Sequence, residues 1–371
     1  FPESVLHGAE ARPEKPAWTW AAWFDGSYAA QFEKNFAFRV GFRAVCIKTW
    51  NQLAFVLFDR FGGGQGTKVT RGRDGWLYET EYIEHALRPR RMAPAERARY
   101  RDEVKGLQDE LARRGIGFVL VISPSKVEWL PEYLPADTPP RDPDRVGQST
   151  YETLIPELRA AGVRVADARA LFAAWKPEEP DLFVRCGTHW SYYGCFLFTR
   201  HLLAELSREW PDRYRVPALA GVTRQPPIGS DKDLADLLNL LRFAPAERPV
   251  PYAEIAVDPL PLAGRPDVLM MGDSFTFTLV DSLKRSRAVG ALDLLYYHRR
   301  LYRYPPAEMD GYLLKHADYD TGPIEHAALD WQTLLLDKDL VIVECNEMLL
   351  NQKLWGFAHG ALAFLRGEEA P

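Results

Sequence analysis

The sequence predicts an α/β protein built on a mostly parallel central sheet. Continuous apolar runs rich in β-branched residues lie at 117–124 (GFVLVISP), 267–271 (DVLMM) and 339–345 (DLVIVEC). Such runs are typical of strands that are covered on both faces. Segments with helical periodicity separate the runs, and this alternation places helices on both faces of a parallel sheet.

The N-terminal part of the chain is predicted to be a helical extension that precedes the main domain. Apolar residues recur every three or four positions between 26 and 58, which indicates helices. The glycine-rich FGGGQG at 61–66 lacks the Gly-Lys-Ser/Thr of a phosphate loop, so we interpret it as a flexible connection. We therefore place the extension with its linker at 1–66 and the main domain at 67–371.

Turn signals and helical periodicity place the remaining elements of the main domain. TKVTRGRDGWLYE at 67–79 predicts two short extended runs around a turn at 73–75. The interval 211–265 has no clear period, and we interpret it as rich in loops. The other predicted elements are helices at 94–114 and 146–161, a strand at 163–167, a helix ending near 210, a helix at 276–287, a strand at 290–297 and a helix at 324–336.

Composition argues against several classes of protein. The 371 residues carry 46 basic and 51 acidic side chains, and the formal net charge of −5 argues against nucleic-acid binding. The eight histidines and four cysteines show no zinc spacing, so neither a metal nor a cofactor is expected. A disulfide between Cys186 and Cys195 stays open, provided that the compartment is oxidising and that their Cα atoms lie within about 7 Å.

The sequence leaves the relation of the protein to a membrane open. No run of about 18 apolar residues is present, so the sequence predicts no membrane-spanning helix. The chain begins with Phe1 and not with Met, and we expect that an upstream segment was removed. A signal or a membrane anchor in that segment is compatible with the sequence.

The strongest functional signal is the corner LMMGDSFTFTL at 269–279. Ser274 follows a buried strand where a helix begins, and ligands of doubly wound sheets bind at the carboxyl ends of strands. Gly272 permits a tight turn, and the N–H groups of a helix N-terminus favour a negative charge. These features fit a serine nucleophile beside an oxyanion pocket. The alternative is that Ser274 only caps the helix.

A histidine-containing stretch, LFVRCGTHWSYYGCF at 182–196, offers a base for this serine. His189 lies in a predicted loop that turns into a helix. A single histidine is more often structural than catalytic, so a catalytic role for His189 is supported only together with a nucleophile. The neighbouring Trp190 and Tyr193 fit the wall of a pocket and a core equally well.

A third stretch, VIVECNE at 341–347, carries polar residues at the end of a predicted strand. Ile342, Glu344 and Asn346 lie on one face of this strand because side chains alternate with a period of two. Glu344 and Asn346 therefore either face the same crevice as Ser274 or hold the loop that follows the strand.

Taken together, these motifs resemble a known family. KNFAFRVGFRAVCIKTWNQLAFVLF, KVTRGRDGWLYE, VISPSKVEWLPEYLP, THWSYYG, GDSF and VIVECNE follow one another as in the periplasmic alginate O-acetyltransferases, the AlgX/AlgJ-like branch of SGNH-type esterases. The resemblance covers roughly residues 30–350. It implies an SGNH hydrolase-like α/β/α sandwich in which the histidine motif precedes the serine motif, a circular permutation of the usual order.

The resemblance also implies roles and partners. Ser274 matches the nucleophile and His189 the general base of an enzyme that moves an acetyl group onto hydroxyls of an exported polysaccharide. A membrane-bound O-acyltransferase is implied as the acetyl donor partner, and the periplasm as the compartment, with an anchor to the inner membrane left open. Transfer to a sugar and hydrolysis by water both fit the same site residues.

One position departs from the family pattern. Many members carry an aspartate two residues before the histidine, and here Gly187 occupies that position. Three interpretations follow. Another carboxylate orients the imidazole, with Asp273 and Glu344 as candidates, or a backbone carbonyl orients it. In the third interpretation the site is inactive and the protein binds polysaccharide. For the second oxyanion donor beside the Ser274 N–H, the candidates are Asn346, Arg299 and Arg300.

Overall fold

The computed structural model describes residues 6–8, 14–39, 42–61, 68–309, 315–326 and 329–368. The strands among these residues are β1 Val69–Arg71, β2 Leu77–Glu79, β3 Gly117–Ser123, β4 Val165–Asp167, β5 Ala218–Gln225, β6 Val250–Ala256, β7 Val268–Gly272, β8 Leu292–Tyr296, β9 Arg300–Tyr304, β10 Asp320–Pro323 and β11 Leu340–Asn346. The helices are α1 Trp20–Phe24, α2 Ser27–Arg39, α3 Arg43–Phe58, α4 Thr80–Leu87, α5 Pro94–Ala112, α6 Lys126–Trp129, α7 Thr150–Ala160, α8 Ala168–Trp175, α9 Tyr192–Glu209, α10 Asp233–Leu237, α11 Phe275–Arg285 and α12 Phe357–Arg366.

Seven strands of the described chain form one sheet, in the order β10-β9-β8-β7-β11-β3-β4. The strands from β8 to β4 run parallel to one another. β9 and β10 extend one edge in antiparallel pairing. The predicted mostly parallel central sheet is therefore confirmed. The pairs β1–β2 and β5–β6 form separate two-stranded antiparallel sheets.

Both faces of the central sheet are buried beneath helices. Ile342 of β11 packs into an apolar cluster shared with α9 and α11, whereas Val341 and Val343 pack into a second cluster with α5, α7 and α12. A strand covered on both sides needs apolar side chains at successive positions, and the continuous runs of the sequence have this pattern. Glu344 and Asn346, at the carboxyl end of the same strand, are polar and still fully buried.

The strand order brings three carboxyl ends to one rim of the sheet. β7, β11 and β3 are parallel neighbours, and they end at Gly272, Asn346 and Ser123. Residues that directly follow such neighbouring strands meet at the same edge. The serine corner at 272–274 and the end of the VIVECNE strand therefore lie side by side.

The N-terminal helices contact the main domain through α3. The Asn51 amide donates to the carbonyls of Leu238 (3.1 Å) and Asn239 (3.4 Å), just after α10. The ring of Phe55 packs edge-on against Phe243, with 5.8 Å between centroids. Apolar side chains on the rest of α3, such as Trp50, are exposed. In the part of the chain that the structure describes, no helix has both the length and the apolar character to cross a membrane.

Several element predictions can be compared with the structure. The hairpin around 73–75 is confirmed as β1 and β2, and the strand at 290–297 is confirmed as β8. The predicted helix at 324–336 is confirmed only in its C-terminal half: a helical turn begins at Trp331 and continues as the π-helical Gln332–Leu336, and the side chain of Asp330 accepts the Thr333 N–H at its start. Residues 327–328, like residues 62–67 of the predicted linker, lie outside the described residues.

The interval 211–265 is more ordered than its pattern suggests. It contains the β5–β6 pair, and α10 lies in the segment between these two strands. β5 is largely exposed, so its side chains do not show the apolar alternation by which a half-buried strand is recognised in a sequence. This interval also contributes a side chain to the candidate active site.

Candidate active site

Ser274 lies in the sharp turn between β7 and α11. The Ser274 side chain makes no capping hydrogen bond to α11. Asp273 takes that role, since its carboxylate accepts the Phe275 N–H at 2.9 Å. Gly272 is needed for the turn, because a Cβ atom there would lie 2.6 Å from a carboxylate oxygen of Glu344. The Ser274 hydroxyl therefore does not cap the helix, which was the alternative role for this residue.

The Ser274 hydroxyl meets His189 across the rim of the sheet. Ser274 Oγ lies 2.8 Å from His189 Nε2. His189 is held in a loop just before α9, where the Ser191 hydroxyl accepts the Gly194 N–H at 2.8 Å and starts the helix. The ring of Phe275 contacts the imidazole edge-on, with 4.7 Å between the ring centroids. The two motifs that the sequence analysis paired are thus in direct hydrogen-bond contact.

The other imidazole nitrogen bonds to a carboxylate that was not among the predicted candidates. His189 Nδ1 lies 2.6 Å from Asp233 Oδ2. The second oxygen, Oδ1, accepts the N–H groups of Thr188 (2.9 Å) and Leu234 (2.6 Å). These two bonds fix the carboxylate at the start of α10, so Ser274, His189 and Asp233 form a continuous hydrogen-bonded triad.

Gly187 explains why the acid comes from a different segment. A Cβ atom at Gly187 would lie 2.4 Å from the carbonyl oxygen of Ser230, so no aspartate side chain fits there. The segment before α10 occupies that space and presents Asp233 instead. Of the three alternatives for orienting His189, the structure shows the first, in which another carboxylate does so. This carboxylate is Asp233, and it is neither Asp273 nor Glu344. The run GSDKDLADLL at 229–238, in which aspartates precede apolar residues at helical spacing, signals the start of a helix but not a partner for His189.

The electrostatics of the triad favour a basic imidazole. Burial lowers the pKa of His189, but the charge and hydrogen bond of Asp233, together with the charges of Asp273 and Glu79, raise it by more. The net result is a pKa above the usual value for histidine. A histidine held in this way accepts a proton from a hydroxyl more readily than a free imidazole does.

Beneath the triad, Asp273 and Glu344 form a buried carboxyl pair. Glu344 accepts the Ser123 hydroxyl at 2.5 Å and the Asp273 N–H at 3.1 Å. Burial raises the pKa of Glu344 well above its usual range and also raises the pKa of Asp273, so the pair holds a proton. Asp273 further accepts the Asn346 N–H at 2.8 Å. The two carboxyl groups brace the serine turn and do not contact the imidazole nitrogens.

Asn346 was expected to help bind the oxyanion, but its side chain is engaged elsewhere. Its amide nitrogen donates to Ser123 Oγ (3.3 Å) and to the Pro124 carbonyl (3.1 Å), and its amide oxygen accepts the Met348 N–H at 3.1 Å. Asn346 is fully buried. It therefore holds the ends of β3 and β11 together, as the alternative interpretation of VIVECNE proposed.

Two donors are better placed for an oxyanion. The Ser274 N–H has no acceptor among the described residues. The Tyr297 hydroxyl lies close to the Ser274 side chain, and burial raises the pKa of this phenol, so it stays protonated. Tyr297 stands in the turn between β8 and β9 with φ of 50°, and its N–H donates to the Gly272 carbonyl at 2.7 Å. Of residues 296–300 (YYHRR), the two arginines were expected as oxyanion donors, and not this tyrosine.

The other expected binding residues lie away from the triad. Trp190 is fully buried and packs between Phe198 and Phe275, so it belongs to the core. Tyr193 is buried too, and its hydroxyl donates to Glu179 at 2.9 Å. Trp190 and Tyr193 are therefore core residues and do not form the wall of a pocket at the triad.

The arginines of YYHRR do not converge on the serine. Arg299 is exposed at the turn between β8 and β9. Arg300 forms a salt bridge with Asp320, which pairs the edge strands β9 and β10. The four cysteines, all within the described residues, are free, so Cys186 and Cys195 are not joined.

A buried lysine supports the histidine loop from below. Lys126 Nζ donates to the carbonyls of Leu77 (2.8 Å), Arg185 (3.0 Å) and Gly187 (2.7 Å). Lys126 is 1 % exposed, so water does not replace these bonds. The lysine thereby ties the β1–β2 hairpin and the end of β3 to the loop that carries His189.

A serine, a histidine and an aspartate linked by hydrogen bonds at the carboxyl ends of parallel strands are the arrangement of serine-dependent hydrolases and acyltransferases. The family model described as "SGNH hydrolase-like domain, acetyltransferase AlgX" matches residues 69–287. The chain belongs to this family.

Individual relatives agree with this assignment. The probable alginate O-acetylase AlgJ of Pseudomonas aeruginosa is 28 % identical over 226 residues, 60 % of this chain and 52 % of that protein. The alginate biosynthesis protein AlgX of the same species is 29 % identical over 152 residues, 41 % of this chain and 30 % of that protein. The chain thus spans about half or less of the length of these relatives.

A solved structure, the O-acetyltransferase domain of Pseudomonas putida AlgJ, is 19 % identical to this chain. The alignment covers 78 % of this chain and 98 % of that domain, with a TM-score of 0.44.

Proposed function

We propose that this protein is an O-acetyltransferase that moves an acetyl group, through a serine ester, onto hydroxyls of an exported polysaccharide. The observation that carries the proposal is the unbroken chain from Ser274 Oγ to His189 Nε2 (2.8 Å) and from His189 Nδ1 to Asp233 (2.6 Å). Membership of the acetyltransferase family and similarity to proteins named for alginate O-acetylation support acetyl as the group and a polysaccharide as the acceptor.

In the first half-reaction, His189 Nε2 takes the proton of Ser274 as Oγ attacks the acetyl carbonyl. The carbonyl oxygen becomes an oxyanion, which the Ser274 N–H and the Tyr297 hydroxyl are placed to bind. The bond to the donor then breaks, His189 returns the proton to the leaving oxygen, and Ser274 is left as an acetyl ester. Asp233 keeps the proton of the imidazole on Nδ1 and stabilises the imidazolium.

In the second half-reaction, a sugar hydroxyl attacks the acetyl ester. His189 accepts the hydroxyl proton and transfers it to Ser274 Oγ as the ester bond breaks. The acetylated sugar leaves, and the serine is regenerated. The same steps with water in place of the sugar would be hydrolysis, so retention of a sugar hydroxyl in the site decides between transfer and loss of the acetyl group.

The cellular setting is part of the proposal. A polysaccharide acetylated during export places the protein in the periplasm, and a membrane-bound O-acyltransferase is the partner that supplies the acetyl group. An anchor to the inner membrane is compatible with this setting.

The test uses a chromogenic acetyl ester with and without an oligosaccharide acceptor. Ser274→Ala and His189→Ala are expected to lower turnover of the ester by at least roughly 10³-fold, because nucleophile and base act as one unit. Mass spectrometry of the acceptor is expected to show a gain of acetyl groups with the unaltered protein only. Ser207→Ala and His201→Ala, two substitutions in the C-terminal half of α9, serve as matched controls. Unchanged turnover in the Ser274 and His189 variants would overturn the proposal.

A further inference from the structure

A turn of left-handed backbone lies between β11 and α12. Lys353, Leu354 and Trp355 have φ of 50°, 53° and 50°, and Gly356 follows with φ of 80°. Residues other than glycine adopt this conformation at a cost, and then as single residues, because Cβ crowds the following carbonyl oxygen. Such strain persists only where the surrounding structure fixes it, and it is concentrated at functional sites. No step of the proposed mechanism uses this turn.

The turn is anchored in the core on both sides of Trp355. Leu354 and Phe357 are fully buried and belong to the apolar cluster that β11 shares with α5, α7 and α12. Lys353 forms a salt bridge with Glu96 in the first turn of α5. These contacts hold the left-handed turn in place, so the ring and the carbonyl of Trp355 point in a fixed direction.

Both groups of Trp355 contact the turn between β8 and β9, which carries Tyr297. The Trp355 ring meets the Tyr297 ring edge-on, with 4.9 Å between the centroids and an angle of 83°. The Trp355 carbonyl accepts a hydrogen bond from His298 Nδ1 at 3.1 Å. Tyr297 and His298 have φ of 50° and 53°, so two left-handed turns are joined by one ring contact and one hydrogen bond.

His298 is a fixed donor in this connection. A carbonyl only accepts, so the imidazole proton must lie on Nδ1. His298 is 3 % exposed, and burial lowers its pKa to about 4, so the ring stays neutral at neutral pH. His326 Nε2 donates to the His298 carbonyl at 2.8 Å. The turn between β8 and β9 is therefore held by both the side chain and the backbone of His298.

Tyr297 depends on such a support because of the task that its hydroxyl performs. The hydroxyl lies close to the Ser274 side chain, but the residue is only partly buried. An oxyanion donor is most effective when it is in position before the reaction, because no reorganisation is then needed in the transition state. A ring packed against the phenol excludes rotamers in which the hydroxyl points away from Ser274.

We propose that Trp355 and His298 are positioning residues, which hold the Tyr297 hydroxyl where it binds the oxyanion. The inference rests on the proposed function, because it assigns the strained turn to the serine ester chemistry. The effect of both residues passes through Tyr297 and not through contact with the substrate. A support of this kind acts on the transition state alone, so its loss lowers kcat and leaves KM nearly unchanged.

The test is a double-mutant cycle in the full chain, measured with the chromogenic acetyl ester. Tyr297→Phe is expected to lower kcat roughly 10²–10³-fold, the usual effect of a lost oxyanion donor. Trp355→Asn removes the ring while asparagine tolerates the left-handed backbone, and it is expected to lower kcat roughly tenfold or more. In the Tyr297→Phe background the same substitution is expected to change kcat less than about twofold, because both act through one hydroxyl.

Conservative variants separate positioning from a general loss of structure. Trp355→Phe keeps an aromatic ring and is expected to retain most of kcat. His298→Asn keeps an N–H donor and is expected to retain more of kcat than His298→Gly, which allows the positive φ but has no donor. The matched control is Trp175→Ala, which removes another partly exposed tryptophan, one whose ring contacts Phe172 and His201. This control is expected to leave kcat unchanged.

Two results would overturn the positioning role. One is an equal loss of kcat from Trp355→Asn with and without the Tyr297 hydroxyl, and the other is an unchanged kcat in Trp355→Asn. The rate at which a fluorophosphonate labels Ser274 is the second measurement, because the phosphonyl oxygen takes the oxyanion position, and it is expected to follow the same pattern. Failure of the proposed function is separate, because it would show as no gain of acetyl groups by the oligosaccharide while ester kinetics and labelling stay measurable.

Discussion

Replacement of Asp233 by asparagine tests the reasoning about the triad directly. Asp233 Oδ1 accepts two backbone N–H groups, from Thr188 and Leu234, so an asparagine is forced to place its amide oxygen at that position. Its NH₂ group then faces His189 Nδ1, where Asp233 Oδ2 lies at 2.6 Å in the unaltered protein. Because NH₂ only donates, Nδ1 must become an acceptor and the imidazole proton moves to Nε2. In that tautomer His189 cannot take the proton of Ser274.

The expected magnitude follows from this tautomer change. In the serine protease used as a general template, the same substitution of the triad aspartate costs about 10⁴ in kcat, by the same cause. We expect a loss on the order of 10³–10⁴ in kcat/KM for the acetyl ester, which corresponds to about 4–5.5 kcal/mol of transition-state stabilisation. Asp233→Ala leaves both tautomers accessible, so its activity is expected to be equal to or higher than that of Asp233→Asn.

The pH dependence gives an independent readout. The Asp233 carboxylate raises the pKa of His189, and the base must be neutral to act. Activity of the unaltered protein is therefore lost as the pH falls through this raised pKa. In Asp233→Ala the acidic limb of the kcat/KM profile is expected to move to lower pH. Asp236→Asn, on the same helix and paired with Lys232, is the matched control. A loss below tenfold in Asp233→Asn would refute the assignment of Asp233.

Three further substitutions test the supports of the site. Lys126→Met removes the shared donor of three carbonyls, of which the Arg185 carbonyl keeps the Leu77 N–H, and denaturant unfolding is expected to show a loss of about 2 kcal/mol or more; a loss below about 1 kcal/mol contradicts the support. Gly187→Asp places Cβ against the Ser230 carbonyl and is expected to lower both Tm and kcat/KM; unchanged values would contradict the clash. Asn51→Ala is expected to lower kcat/KM several-fold, measured with the acetyl ester, with KM little changed; wild-type kcat would contradict this coupling.

The sequence was sufficient for the sheet and for two members of the triad. Buried parallel strands need continuous apolar runs, and a nucleophile at a strand end needs a glycine turn, so Gly272 and Ser274 are legible in one short stretch. His189 could be paired with them through the order of several motifs. The distance of 2.8 Å between Ser274 Oγ and His189 Nε2 agrees with that pairing.

The third member could not be read from the sequence for a physical reason. Asp233 is 44 positions from His189 along the chain, and nothing local requires a carboxylate at that spacing. The aspartate expected next to the histidine is absent because the Ser230 carbonyl fills the space in front of Gly187. Only the folded arrangement of two segments shows that one replaces the other. The same holds for Tyr297, whose position depends on a turn with positive φ between two strands.

Moving the acid to the start of α10 changes what the site depends on. An aspartate on the histidine loop would share the support that Lys126 gives to that loop. Asp233 instead lies on a segment whose far end is held by the Asn51 amide of α3 and by the contact of Phe55 with Phe243. The orientation of His189 therefore rests on contacts made by the N-terminal extension, so that extension is a structural part of the site and not only a spacer in front of it.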